Sequence, residues 1–128
     1  DMVRKTEEGM AFRALMLSEE KVISCELLRA EVVSIFRKLC RHGLIPIEKV
    51  QSFLTESTAL VNEYYSIQEL QEEVLSESIR LDHSSYDMFY FVLARRFGAT
   101  LFTLDRKLIR LCEEQGVQCV AILENGEF

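Results

Sequence analysis

Residues 84–105, SSYDMFYFVLARRFGATLFTLD, decide the fold. Two serines lead into an acid, Asp87. The next seven residues, Met88–Ala94, are all apolar or aromatic. A run apolar on every side reads as a helix buried all round. Gly98 suits its stop, and Thr100–Leu104 reads as a short strand. Asp105 comes at once after it. Two carboxylates therefore bracket a segment too apolar to lie anywhere but the core.

Each acid has a structural reading. Ser84 and Asp87 match the S-x-x-D form of a capping box, with the carboxylate favoured by the helix dipole. Asp105 falls between a strand and Arg106-Lys107, where an N-cap is expected. Each also has a functional reading, because a carboxylate at such a position can meet a cation. The two readings are compatible.

Working outward, helical and strand-like periods alternate. Residues 7–18 read as a helix with Met10, Ala14 and Leu17 on one face, and 20–25 as a strand. Residues 26–41 form a strong amphipathic helix through Leu28, Val32, Ile35, Phe36 and Leu39. Pro46 suits the first turn of a helix carrying Ile47, Val50, Leu54 and Val61. A strand over 63–67, a Glu-rich helix over 68–81, a helix over 106–115 and a strand over 117–123 complete the chain. The order α-β-α-α-β-α-α-β-α-β predicts a parallel sheet covered by helices. In such sheets ligands bind at the carboxyl ends of the strands, and Asp105 falls at such an end.

At 128 residues the chain reads as a single domain over 1–128. Its net charge of −6 argues against a broad basic footprint for nucleic acid. It does not exclude a nucleic-acid enzyme, since a bound metal ion supplies its own positive charge. No apolar run is long enough to span a membrane. The four cysteines include no C-x-x-C pair and there are only two histidines, which argues against a zinc site. Each cysteine lies among apolar residues, reads as core, and fits a reducing cytoplasm.

Glu31 is the informative acid. It lies within the helix over 26–41, at the edge of the apolar face, and no basic residue is spaced to pair with it along that helix. A tertiary salt bridge or an exposed rim position would account for it, and so would a divalent ion. Glu31, Asp87 and Asp105 could converge from separate elements into an oxygen-rich site suited to Mg²⁺ or Mn²⁺. His83 reads as a solvated loop residue, Glu69, Glu72, Glu73 and Glu77 as a solvated face, and Arg95-Arg96 as a charged surface. Tyr86, Phe89, Tyr90, Phe91 and Phe97 read as core packing.

Three motifs in order, LLRAEVVSIFRKL, SSYDMFYFVLARRFGA and TLFTLDRKL, closely resemble the PIN domain, and in particular small VapC-like toxins of the VapBC toxin–antitoxin type. SSYDMFYFVLARRFGA is similar to the family's S-x-Y-D-A-x-Y-x-A-L-A-x-x-x-G pattern, and TLFTLDRKL to its L-x-T-x-D-x-x-L pattern. The resemblance implies a three-layer α/β/α fold with a central parallel sheet. It implies a divalent-metal-dependent endoribonuclease leaving 5′-phosphate and 3′-hydroxyl ends. Glu31, Asp87 and Asp105 fall on the catalytic, metal-binding acids. Thr103 falls on a residue that supports them, and Ser84 on the polar residue ahead of the third acid. A cognate antitoxin and a homodimer are implied as well. The alternatives are a PIN-like binding or scaffold module that does not cut, and a PIN nuclease of RNA processing or of DNA.

One departure stands out. The family opens with a strand in the middle of the sheet that ends in an acid, and this sequence shows no such strand. The stretch DMVRKTEEG resembles the segment downstream of that motif. The expectation is thus an N-terminally incomplete domain whose first, central strand is missing, and a central strand drawn from residues 1–128 would speak against it.

Overall fold

In the computed structural model, residues 16–18, 21–103 and 105–121 are described. Five strands form one sheet: β1 (Met16–Ser18), β2 (Lys21–Cys25), β3 (Glu63–Tyr65), β4 (Thr100–Thr103) and β5 (Cys119–Ala121). Five helices connect them: α1 (Leu27–Arg41), α2 (Ile47–Ala59), α3 (Ile67–Arg80), α4 (Ser85–Phe97) and α5 (Arg106–Gln115). The strand order is β3-β2-β1-β4-β5. The β2–β3 and β4–β5 pairs are parallel, each joined through helices. Right-handed crossovers running outward in opposite directions put α1–α2 and α5 on opposite faces of the sheet. This is the expected α/β class.

The centre of the sheet is a finding of its own. It is not empty. It is filled by β1, which runs antiparallel to both β2 and β4. The sheet is therefore mixed, and residues 16–18 are strand where the spacing of Met10, Ala14 and Leu17 predicts helix. Residues 7–15 of that expected helix lie outside the described residues, as do 122–123 of the expected last strand. The physical reason lies in β2 and β4. Each turns an unpaired backbone edge toward the gap, and any extended segment that fills it satisfies those groups.

The stretch 84–105 is the core, as expected. Met88 and Tyr90–Ala94 are fully buried. Helix α4 packs on β2 and β4, with α3 and α5 beside it. Gly98 ends it in the left-handed region (φ 59°), and the next residue's N–H bonds back to Ala94 O at 2.9 Å. That turn drops the chain straight into β4. Burying a side chain such as Phe91 stabilises by about 2–3 kcal/mol. The aromatic cluster is only partly interior, however: Tyr86 and Phe97 are exposed. Among the cysteines Cys25 and Cys112 are buried, while Cys40 and Cys119 are half-buried.

Helix α1 buries Leu28, Val32, Phe36 and Leu39, the expected stripe. Helix α3 begins with a full capping box, Ser66 and Glu69, directly after β3. No helix among the described residues is long and apolar enough to cross a membrane.

Candidate active site

Glu31 sits in the second turn of α1, just beyond β2. It is half-buried, with buried Leu28 and Val32 beside it. Its partner comes from another helix: the Tyr90 hydroxyl on α4 donates to Oε1. Tyr90 is fully buried. Glu31 Oε2 takes no hydrogen bond among the described residues. The partner that sequence spacing failed to find along α1 is thus a neutral donor from across the core.

Asp87 lies in the first turn of α4 and is 5% exposed. Its Oδ2 is 3.2 Å from His83 Nε2. His83 is therefore not the solvated loop residue expected. It reaches forward four residues, across the helix start, and its side chain is largely buried. The capping box expected at Ser84 does not form. Ser84 holds the N-cap position but its hydroxyl caps nothing, and it is exposed. Among the described residues its backbone carbonyl accepts from Met88 N at 3.1 Å.

Asp105 lies just beyond β4. Its Oδ1 accepts from Leu108 N at 3.0 Å, so the capping reading holds for this acid. Its own N–H donates to Thr103 Oγ1 at 3.0 Å. Thr103 is fully buried at the end of β4 and pins the backbone from which the carboxylate springs. Oδ2 of Asp105 accepts no hydrogen bond among the described residues.

Glu31 and Asp105 thus come after β2 and β4, the strands on either side of the central one. From these two strands the connections leave in opposite directions, the switch point at which open α/β sheets bind ligands. Asp87 lies on α4 and does not close a three-acid group with them. It is three residues before Tyr90, so it shares a helix face with the residue that holds Glu31.

The donor set is carboxylate oxygen, two of the three acids keep an oxygen outside any described hydrogen bond, and no lysine or arginine among the described residues pairs with Glu31 or Asp105. In kind these residues fit a hard divalent ion. In spacing they do not form a closed set: among the described residues no three His, Cys, Asp or Glu side chains stand close enough to hold a metal.

Sequence reasoning missed Tyr90 and His83. The signals were a polar tip on an otherwise apolar helix, and a histidine four residues ahead of an acid.

An α/β domain with acids beyond two strands at its switch point defines a class of proteins whose chemistry sits at that edge of the sheet. The family model of the PIN domain matches residues 1–114, and the chain belongs to the PIN domain family. Members of that family are generally nucleases, typically using divalent metals. No curated protein and no solved structure matches the chain.

Proposed function

We propose that the chain is a divalent-metal-dependent endoribonuclease, acting in the cytoplasm as a VapC-like toxin that a cognate antitoxin neutralises. The observation that supports it best is the pair Glu31 and Asp105. Each lies beyond a strand at the switch point, tied through one oxygen to a neutral donor. Glu31, Asp87 and Asp105 would hold Mg²⁺ or Mn²⁺. When bound, the ion supplies positive charge and an acidified water for phosphodiester hydrolysis. The chain's own part is to orient the acids. Thr103 fixes the Asp105 backbone, Tyr90 the Glu31 carboxylate and His83 the Asp87 carboxylate. Ser84, exposed at the entry to α4, would support the site from the position ahead of Asp87. A basic arm of the antitoxin entering the acidic site agrees with the charge of −6, and a homodimer completes the reading.

The test is cleavage of single-stranded RNA by the full-length protein with Mg²⁺. The expected result is cleavage that EDTA stops and Asp87→Asn abolishes, with single-stranded DNA left intact. Activity that survives EDTA, or equal activity in Asp87→Asn, contradicts the proposal.

A second reading is a PIN-like module that binds without cutting. One observation favours it: the absence, among the described residues, of three closely grouped donors. RNA binding without cleavage in saturating Mn²⁺ would select it.

A further inference from the structure

We propose that the cations Arg106, Lys107 and Arg110 on α5 and the exposed ring of Tyr86 on α4 form a surface that takes single-stranded nucleic acid, with its phosphates on the cations and a base on the ring. This rests on the nuclease reading above and on no bound ion.

The first observation is the charge pattern of α5, RKLIRLCEEQ. A helix favours acids at its start and cations at its end. Here the order is reversed. Arg106, Lys107 and Arg110 occupy the first two turns, the first turn holds no acid, and Glu113 and Glu114 come near the end. The cations also repel one another. Arg110 lies four residues after Arg106 and three after Lys107, spacings that make neighbours on a helix surface. Helix stability argues against this arrangement on both counts. Helix α1 shows the ordinary one, with Lys38 and Arg41 in its last turn, where the dipole favours them. A pattern that breaks local rules without a local gain is expected where a surface serves a ligand.

The second observation is that these cations are not used within the fold. All three are exposed, and no acid among the described residues pairs with any of them. Arg80, Arg95 and Arg96 by contrast are closed onto Glu73 and Glu77. The chain carries a net charge of −6. A polyanion is therefore repelled by the molecule as a whole and drawn to a local cluster of positive charge.

The third observation is placement. Helix α5 starts directly after Asp105, at the edge where β4 ends. Helix α4 packs beside α5 and on β4. It runs away from that edge to Gly98, and β4 runs back to it, so α4 also starts there. Tyr86, in the first turn of α4, is 61% exposed. An exposed aromatic ring beside unpaired cations favours a single nucleic-acid strand over an acidic protein, because bases stack on the ring while phosphates meet the charges.

The experiment is binding of a fluorescein-labelled single-stranded oligouridylate to the full-length protein in EDTA, followed by anisotropy over a range of salt. EDTA keeps metal-dependent cleavage out of the readout. One variant combines Arg106→Gln, Lys107→Gln and Arg110→Gln on α5. A control of equal charge change combines Arg37→Gln, Lys38→Gln and Arg41→Gln on α1. Tyr86→Ala is the third. The α5 variant is expected to bind at least about 10-fold more weakly, with a salt slope smaller by about 2, since each phosphate contact of a single strand contributes about 0.7. Its thermal midpoint should equal or exceed that of the wild type, because the clash with the dipole is gone. Tyr86→Ala should lose about 5-fold or more in affinity with its salt slope unchanged. The α1 control should bind as the wild type does. If the α5 variant fails to fold, Lys107→Gln alone decides: a slope smaller by about 0.7 supports the proposal and an unchanged slope overturns it. Wild-type affinity in the α5 variant or in Tyr86→Ala, or an equal loss in the α1 control, overturns this inference alone. So does polyglutamate that displaces the RNA as well as unlabelled oligouridylate does, since the occupant would then be an acidic protein. A wild type that binds neither RNA nor single-stranded DNA overturns the nuclease reading, and this inference with it.

Discussion

The chain holds its acids in two different ways. On α3, Glu73 and Glu77 are gripped by cations. Arg95 reaches both, at 2.6 and 2.7 Å, Arg96 adds a bond to Glu73 at 2.9 Å, and Arg80 takes Glu77 through two bonds. Glu31 and Asp105 are held by neutral groups, a tyrosine hydroxyl and a backbone N–H. The first arrangement is a closed seam joining α3 to α4, with its charges spent on one another. The second orients carboxylates and leaves their charge in place. In one protein that contrast separates acids paired with cations from acids held by neutral donors.

The contrast breaks most visibly if the two kinds of acid prove interchangeable. The largest effect is expected at Glu31→Gln. RNA cleavage should fall at least about 100-fold, the upper end of what losing even an outer partner of a metal costs. Thermal stability should change little, because the amide oxygen can still accept from Tyr90. Glu73→Gln should do the reverse. It removes the negative charge that Arg95 and Arg96 share, leaving a single amide oxygen to accept, and should cost about 1 kcal/mol in chemical denaturation, with cleavage unchanged.

Acid titration sharpens the same comparison. Hydrogen bonds from Arg80 and then Arg95 hold Glu77 down to about 2. Burial raises Glu73, but the bonds from Arg95 and Arg96 outweigh it and leave the group below its ordinary 4.5. A carboxylate more acidic in the folded state contributes stability that is present above its unfolded pKa and lost as pH falls through its folded one. The thermal midpoint should therefore decline from about pH 4.5 toward pH 2. Glu77→Gln should flatten part of that decline.

How much of this was legible in the sequence differs by element. The stretch 84–105 announced a buried helix, a glycine stop and a strand because its signals are local. Gly98 adopts the left-handed turn that the stop requires. The central strand was not legible. Three residues carry no usable period, and Met16–Ser18 are strand because β2 and β4 offer them backbone partners from distant parts of the chain. The positions of Glu31 and Asp105 could be read. Their partners could not, since Tyr90 is 59 residues from Glu31 and reads as core by composition. The seam of Glu73 and Glu77 looked like a solvated face for the same reason. Arg95 lies 22 and 18 residues away, on a helix whose packing against α3 no local pattern displays.

The central claim is that the acids beyond β2 and β4 are kept for a divalent cation. Asp105 tests it most directly, because it alone has a complete structural role as the cap of α5. Asparagine caps a helix as well as aspartate does, so Asp105→Asn keeps that role and removes the charge. The measurement is Mn²⁺ affinity of Asp105→Asn against wild type, alongside the thermal midpoint of each in EDTA. The account predicts an unchanged midpoint and a loss of affinity of at least about 10-fold. Unchanged affinity would show Asp105 to be a cap and nothing more, and would contradict the account.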